Sequence, residues 1–129
     1  MRTKIFVNLA VKDISRSIKF FTKMGYTFDP QFTDKHATCM IVTEDIYVML
    51  LVRDFFKTFT RKEITDPSKA TEVILTLSAD TREKVDDLVN KAIRAGATSP
   101  NETQDQGWMY GRGFYDLDGH HWEIMYMEK

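Results

Sequence analysis

The chain has 129 residues, 43% hydrophobic and 29% charged, and its 18 Lys and Arg against 19 Asp and Glu leave a formal net charge of -1. That balance offers no clustered cationic surface to release counterions from phosphates, so nucleic acid is not an expected partner. Nine Phe, five Tyr and two Trp supply ample core material, which excludes intrinsic disorder. A chain this long buries roughly two-thirds of the surface it exposes when unfolded, so one domain without a disulfide or metal staple is expected. The lone Cys39, set in an apolar run, has no partner for an internal disulfide and points to a reducing, cytoplasmic setting. No apolar stretch approaches the roughly 20 residues that cross a bilayer, so no membrane partner is expected.

Ile5, Val7, Leu9 and Val11 alternate with a period of two and predict a first strand over Ile5 to Val11. Ile14, Ile18, Phe21 and Met24 then recur at helical spacing, with Asp13 or Ser15 near the cap and Gly25 as the stop. Three strands are predicted next, over Tyr26 to Phe32, Ala37 to Thr43 and Ile46 to Val52. Residues 53–70 keep no clean period and read as a connector with one helical turn. Its Phe55, Phe56 and Phe59 need cover, which predicts a homodimer.

The pattern then restarts. Val73, Leu75 and Leu77 alternate with Glu72, Ile74 and Thr76 as a strand, and Val85, Leu88, Val89, Ala92 and Ile93 form the stripe of a helix ended by Gly96. A strand-like segment from Trp108 to Tyr115, a turn at Asp116-Leu117-Asp118-Gly119 and a last strand from His121 to Met127 complete the chain. The second half thus repeats the strand–helix–strands order of the first, as module one (1–52) and module two (71–129) joined by the connector.

The opening Phe6-Val7-Asn8-Leu9-Ala10-Val11-Lys12-Asp13, followed by Ser17, Phe20, Phe21 and Gly25, resembles the start of the vicinal oxygen chelate superfamily, and Asp116-Leu117-Asp118-Gly119-His120-His121-Trp122-Glu123 resembles its closing turn and Glu-bearing strand. Leu117 stands where that turn usually has proline. The resemblance covers the whole chain and implies an α+β fold of two tandem βαβββ modules, whose mixed, curled sheets form a cup for a metal or a small molecule. It also implies metal ligands at Phe6, Met49, Glu72 and Glu123. Two of those four side chains, Phe6 and Met49, are not donors, so the ligand set is half empty.

Period-two alternation puts His121, Glu123 and Met125 on one face of the last strand, and Glu72, Ile74 and Thr76 on one face of the strand that opens module two. If the helices cover one side, the other is lined by Phe6, Asn8, Tyr47, Met49, Thr76 and these acids, a mostly apolar site with a few polar groups. Glu72, His121 and Glu123 form a candidate set for one divalent metal (Fe, Mn, Ni or Zn) acting as a Lewis acid. Without a metal, repulsion between two facing carboxylates, together with burial, would raise the pKa of one, and one of them would serve as a general base. Arg112, on the glycine-rich strand Gly107 to Tyr115, is a candidate partner for an anionic ligand; filling of the wall by the neighbouring aromatics is the structural alternative. His36 and His120 read as solvated loop residues, and Cys39 as a packed small apolar residue.

Two functional expectations follow. One is a small-molecule enzyme of the glyoxalase/dioxygenase type with Glu123 catalytic; the other is a non-catalytic protein that binds or sequesters a small molecule, of the bleomycin-resistance type. Phe6 and Met49 favour the second, and Glu72, His121 and Glu123 favour the first.

Overall fold

The computed structural model describes residues 1–128 and divides the chain into two compact units, Met1–Ile64 and Thr65–Lys129. In the first unit, β1 (Ile5–Val11) leads into α1 (Ile14–Met24), followed by β2 (Thr27–Phe28), β3 (Ala37–Ile41) and β4 (Ile46–Val52). The unit ends with a short helix α2 (Arg53–Phe56) and a 3-10 turn, Lys57–Phe59. The second unit contains β5 (Ile74–Ser78), α3 (Arg82–Arg94), β6 (Gln104–Asp105), β7 (Met109–Tyr115) and β8 (His121–Met127).

Both units have the same topology. The sheet order is β1, β4, β3, β2 in one and β5, β8, β7, β6 in the other. In each, the first and last strands of the module lie side by side and parallel, while the remaining pairs are antiparallel. The fold is therefore α+β, two tandem βαβββ modules, as their element order predicts.

Local chemistry explains where the first helix begins and ends. The Asp13 carboxylate accepts the Arg16 amide at 3.0 Å as the N-cap, and Gly25 closes the helix in the left-handed region with its N–H donating to the last turn. Ile14, Phe20, Phe21 and Met24 of α1 are buried together with Leu9, Val48, Leu50 and Met40, which defines the helix-covered face of the first sheet. In the second unit, Val85, Val89 and Ala92 of α3 are fully buried, as are Phe114, Trp122 and Ile124 of the sheet. Phe114 and Trp122 stack within 5° at 6.3 Å.

Two sequence expectations need correction, and one strand carries no sequence signal. The strand expected over Tyr26 to Phe32 shrinks to two residues, because Asp29-Pro30 starts a 3-10 turn in which the Asp29 carboxylate accepts the Gln31 amide at 2.9 Å. The strand opening the second module begins at Ile74, leaving Glu72 and Val73 outside it. The polar stretch after the second helix contains a short edge strand, β6, whose Gln-Asp composition carries no strand signal. In the connector, Phe55 and Phe56 are half-buried, and Phe55 meets the Phe59 ring edge-on at 5.1 Å. Phe59 is 69% exposed. No helix among the described residues is long and apolar enough to cross a membrane.

Candidate functional site

The face of the second sheet turned away from α3 carries the polar group that organises the site. Residues directly opposite one another in neighbouring strands share a face, so the pairings Thr76 with Glu123 and Gly113 with Glu123 form one row, and Ile74, His121 and Tyr115 form the next. His121 and Glu123 are two residues apart on β8 and stand side by side, with the His121 Nε2 3.4 Å from the Glu123 Oε2. The histidine side chain is nine-tenths buried, and its Nε2 makes no hydrogen bond. On its other side the imidazole meets the Tyr115 ring edge-on at 5.2 Å.

Gly113 leaves room for this packing. A Cβ at that position would sit 3.3 Å from the His121 Nε2, 3.5 Å from the Glu123 Cγ and 3.2 Å from the Trp122 carbonyl oxygen. Its backbone does not need glycine's conformational freedom, so the missing side chain is a matter of space: the imidazole and the carboxylate lie where an alanine methyl would crowd them. The alternation of Gly111 and Gly113 between larger residues is a signal visible in the sequence, and it identifies β7 as the strand on which neighbouring side chains rest.

Arg112 lies on the other face. Because Gly113 shares the face of Glu123, period two sends Arg112 to the helix side, where its guanidinium donates to the Asp86 and Asn90 side-chain oxygens on α3, both at 3.0 Å. Tyr110, on the same side of β7, donates its hydroxyl to Asp86 at 2.6 Å. That hydrogen bond, helped by burial, holds the Tyr110 pKa above its ordinary value. Arg112 thus ties the sheet to α3 and is not placed to meet a ligand beside Glu123.

Glu72 is likewise not gathered in. It is exposed in a bend before β5, four residues before the Thr76 that faces Glu123, a gap of roughly 13 Å in extended chain. The repulsion expected between facing carboxylates therefore has no geometry. Among the described residues no group of three or more His, Cys, Asp and Glu side chains is arranged to hold a metal. The three-residue metal set Glu72, His121 and Glu123 does not fit; only the His121–Glu123 pair comes together.

In the first unit, the corresponding face carries Phe6 beside Tyr47, Asn8 beside Met49 and, deeper in, Ala10 beside Leu51. Phe6 and Tyr47 stack at 4.8 Å and 11°, and Asn8 is exposed, donating its amide to the Phe6 carbonyl at 3.3 Å. Met49 is half-buried, with Cys39 opposite it on β3. Burial, reinforced by Asp29, pushes the Cys39 thiol pKa up, as befits a packing residue. His36 is exposed near Phe55, and the His120 N–H donates to Asp116 at 3.0 Å.

Residues 3–46 match the family model of bleomycin resistance protein-like N-terminal domains. Over the whole chain, a hypothetical protein from S. aureus is 30% identical with a TM-score of 0.81, the match covering 98% of this chain and 95% of that one. A glyoxalase/bleomycin resistance protein/dioxygenase family enzyme from Burkholderia phytofirmans PsJN is 19% identical with a TM-score of 0.77, over 95% of this chain and 96% of that one. The chain belongs to the vicinal oxygen chelate superfamily. The same fold recurs in the fosfomycin resistance protein of Listeria monocytogenes, 16% identical with a TM-score of 0.71, over 100% of this chain and 94% of that one. No protein with a curated description matches the sequence. Within this superfamily one fold hosts several chemistries, so function has to be argued from the side chains.

Proposed function

We propose that the chain is a small-molecule enzyme of the glyoxalase/dioxygenase type in which Glu123 is the catalytic residue and His121 its immediate partner. The observation that carries this reading is the His121 Nε2, buried, without a hydrogen bond and 3.4 Å from the Glu123 carboxylate. A carboxylate beside a buried imidazole nitrogen, on a face that also holds the Thr76 hydroxyl and the apolar Ile74 and Met125, is suited to take a proton from a bound small molecule and return it. The donor set that would hold a metal is incomplete, and the proposed proton transfer is routed through none.

The test is turnover of a 2-oxoaldehyde–thiol adduct, of a catechol, and of fosfomycin with a thiol, each with chelator-treated protein and with added manganese, iron, nickel or zinc. Glu123→Gln keeps the shape and removes the charge, so it should abolish whichever turnover is found while the melting temperature stays within about 2 °C. Turnover retained in that variant would overturn the assignment of Glu123. Binding of one of these compounds without conversion would favour the sequestering alternative, which is supported by Phe6 and Met49 standing at positions where the superfamily resemblance implies donors.

A homodimer completes the proposal, with Phe59 as the apolar ring in need of cover. Phe59→Ser should raise the concentration at which sedimentation shows dissociation, and unaltered sedimentation would remove Phe59 from the interface.

A further inference from the structure

We propose that Phe6, Tyr47 and Lys4 form a binding ledge for a planar aromatic ring that carries an anionic group, a site that stands whether or not Glu123 is catalytic. β1 is an edge strand of its sheet, with β4 on one side and no further strand of that sheet on the other. Phe6 on β1 and Tyr47 on β4 are directly opposite in the parallel register, and their rings lie nearly coplanar in orientation, 11° apart and 4.8 Å between centroids. Tyr47 therefore covers the inner face of Phe6, and Phe6 remains 52% exposed.

A single exposed ring is ordinary on a protein surface. This one is preorganised. The Tyr47 hydroxyl donates to the Glu44 carbonyl at 2.8 Å and accepts from the Lys4 ammonium at 3.5 Å, so the lower ring of the stack is fixed at its far end. The Lys4 ammonium also lies 5.5 Å from the Tyr47 ring centre. A ligand ring laid on the outer face of Phe6 extends an existing stack.

The charge of the ligand follows from the pairing of the neighbours. Arg2 bridges Glu44 at 2.7 Å and Asp45 at 3.2 Å, which pairs the two acids that immediately precede β4. Lys4 makes no ion pair among the described residues, and its ammonium lies against Tyr47. It is the cation left to meet a carboxylate or a similar anion on the edge of the stacked ring.

The experiment is a titration of the full chain with 2-naphthoate, followed by amide chemical shifts. Saturable shifts should centre on residues 4–8 and 44–49. Phe6→Leu should weaken binding by about tenfold or more, because it removes the stacking surface while keeping an apolar side chain of similar bulk. Lys4→Gln, and separately the neutral 2-naphthamide with the wild-type chain, should each weaken it several-fold. Cyclohexanecarboxylate, anionic but not planar, should bind at least about tenfold more weakly than 2-naphthoate. Phe32→Leu, at another exposed phenylalanine of the same unit, should leave binding unchanged.

The proposal is overturned by an absence of saturable shifts, by shifts centred elsewhere, by wild-type affinity in Phe6→Leu, or by equal loss in Phe32→Leu. Equal affinity for 2-naphthoate and 2-naphthamide, or wild-type affinity in Lys4→Gln, overturns the anionic requirement.

Discussion

Asp116→Asn is expected to destabilise the chain by about 3 kcal/mol, lowering its melting temperature by roughly 10 °C, although asparagine has nearly the same shape. Asp116 is 8% exposed, and its three polar neighbours are all donors. Its Oδ1 accepts the Asp118 and His120 amides at 3.0 Å, and its Oδ2 accepts the Trp122 indole N–H at 2.9 Å. Burial pushes its pKa above the ordinary carboxylate value, while His120 and the three donors pull against that shift. An asparagine can satisfy the two amides with its oxygen, but its NH2 then faces the Trp122 N–H, so two buried donors confront each other. Trp122, at 1% exposure the largest fully buried side chain, cannot turn away to water.

A double-mutant cycle checks this account. Trp122→Phe removes the indole donor and leaves a smaller ring, so it destabilises on its own, but Asp116→Asn should cost about 1 kcal/mol or more less in its presence. Strict additivity of the two changes in a thermal or denaturant melt would show that the Asp116–Trp122 bond is not the source of the loss.

This turn also shows what the sequence can and cannot reveal. Asp116-Leu117-Asp118-Gly119 is recognisable as a turn from composition, the bounds of β1 follow from period-two alternation, and those of β4 and β8 follow from strand composition beside polar breaks and the turn. Nothing in the spacing says that the first aspartate folds inward to bind a tryptophan six residues on, because that contact depends on the turn's geometry. β6 and the true extent of the second strand are not legible in the sequence for a related reason. Short edge strands form by pairing with an existing neighbour, and their own residues need no strand propensity.

The candidate site divides the same way. Glu123 and His121 share a face by simple counting, and they do meet. The places of Arg112 and Glu72 are not legible, because face and position along a strand are set by the register with β8, which a single sequence does not contain. Asp86 and Asn90, the partners of Arg112, lie 26 and 22 residues away on a helix whose polar side reads only as solvated surface.

Gly119→Ala is expected to destabilise more than Gly25→Ala, although both glycines lie in the left-handed region, at φ +98° and +106°. Backbone strain of about 1–2 kcal/mol applies to each. At Gly25 an added Cβ meets nothing within 4 Å, so strain is the whole effect. At Gly119 it falls 2.9 Å from the Ser68 backbone N and Cα and 3.0 Å from the Pro67 carbonyl carbon. Backbone cannot step aside as a flexible side chain can, and this backbone is itself held, since the Asp66 carboxylate accepts the Ser68 amide at 3.0 Å and the Ser68 hydroxyl at 2.7 Å. The methyl therefore either strains the 116–119 turn further or pushes the 66–69 segment off it, for a total near 3 kcal/mol or above. The second route predicts faster proteolytic cleavage around Pro67–Ser68 in Gly119→Ala and not in Gly25→Ala. Equal melting temperatures for the two variants, with equal cleavage rates, would mean that the close approach of the connector to this turn contributes nothing to stability.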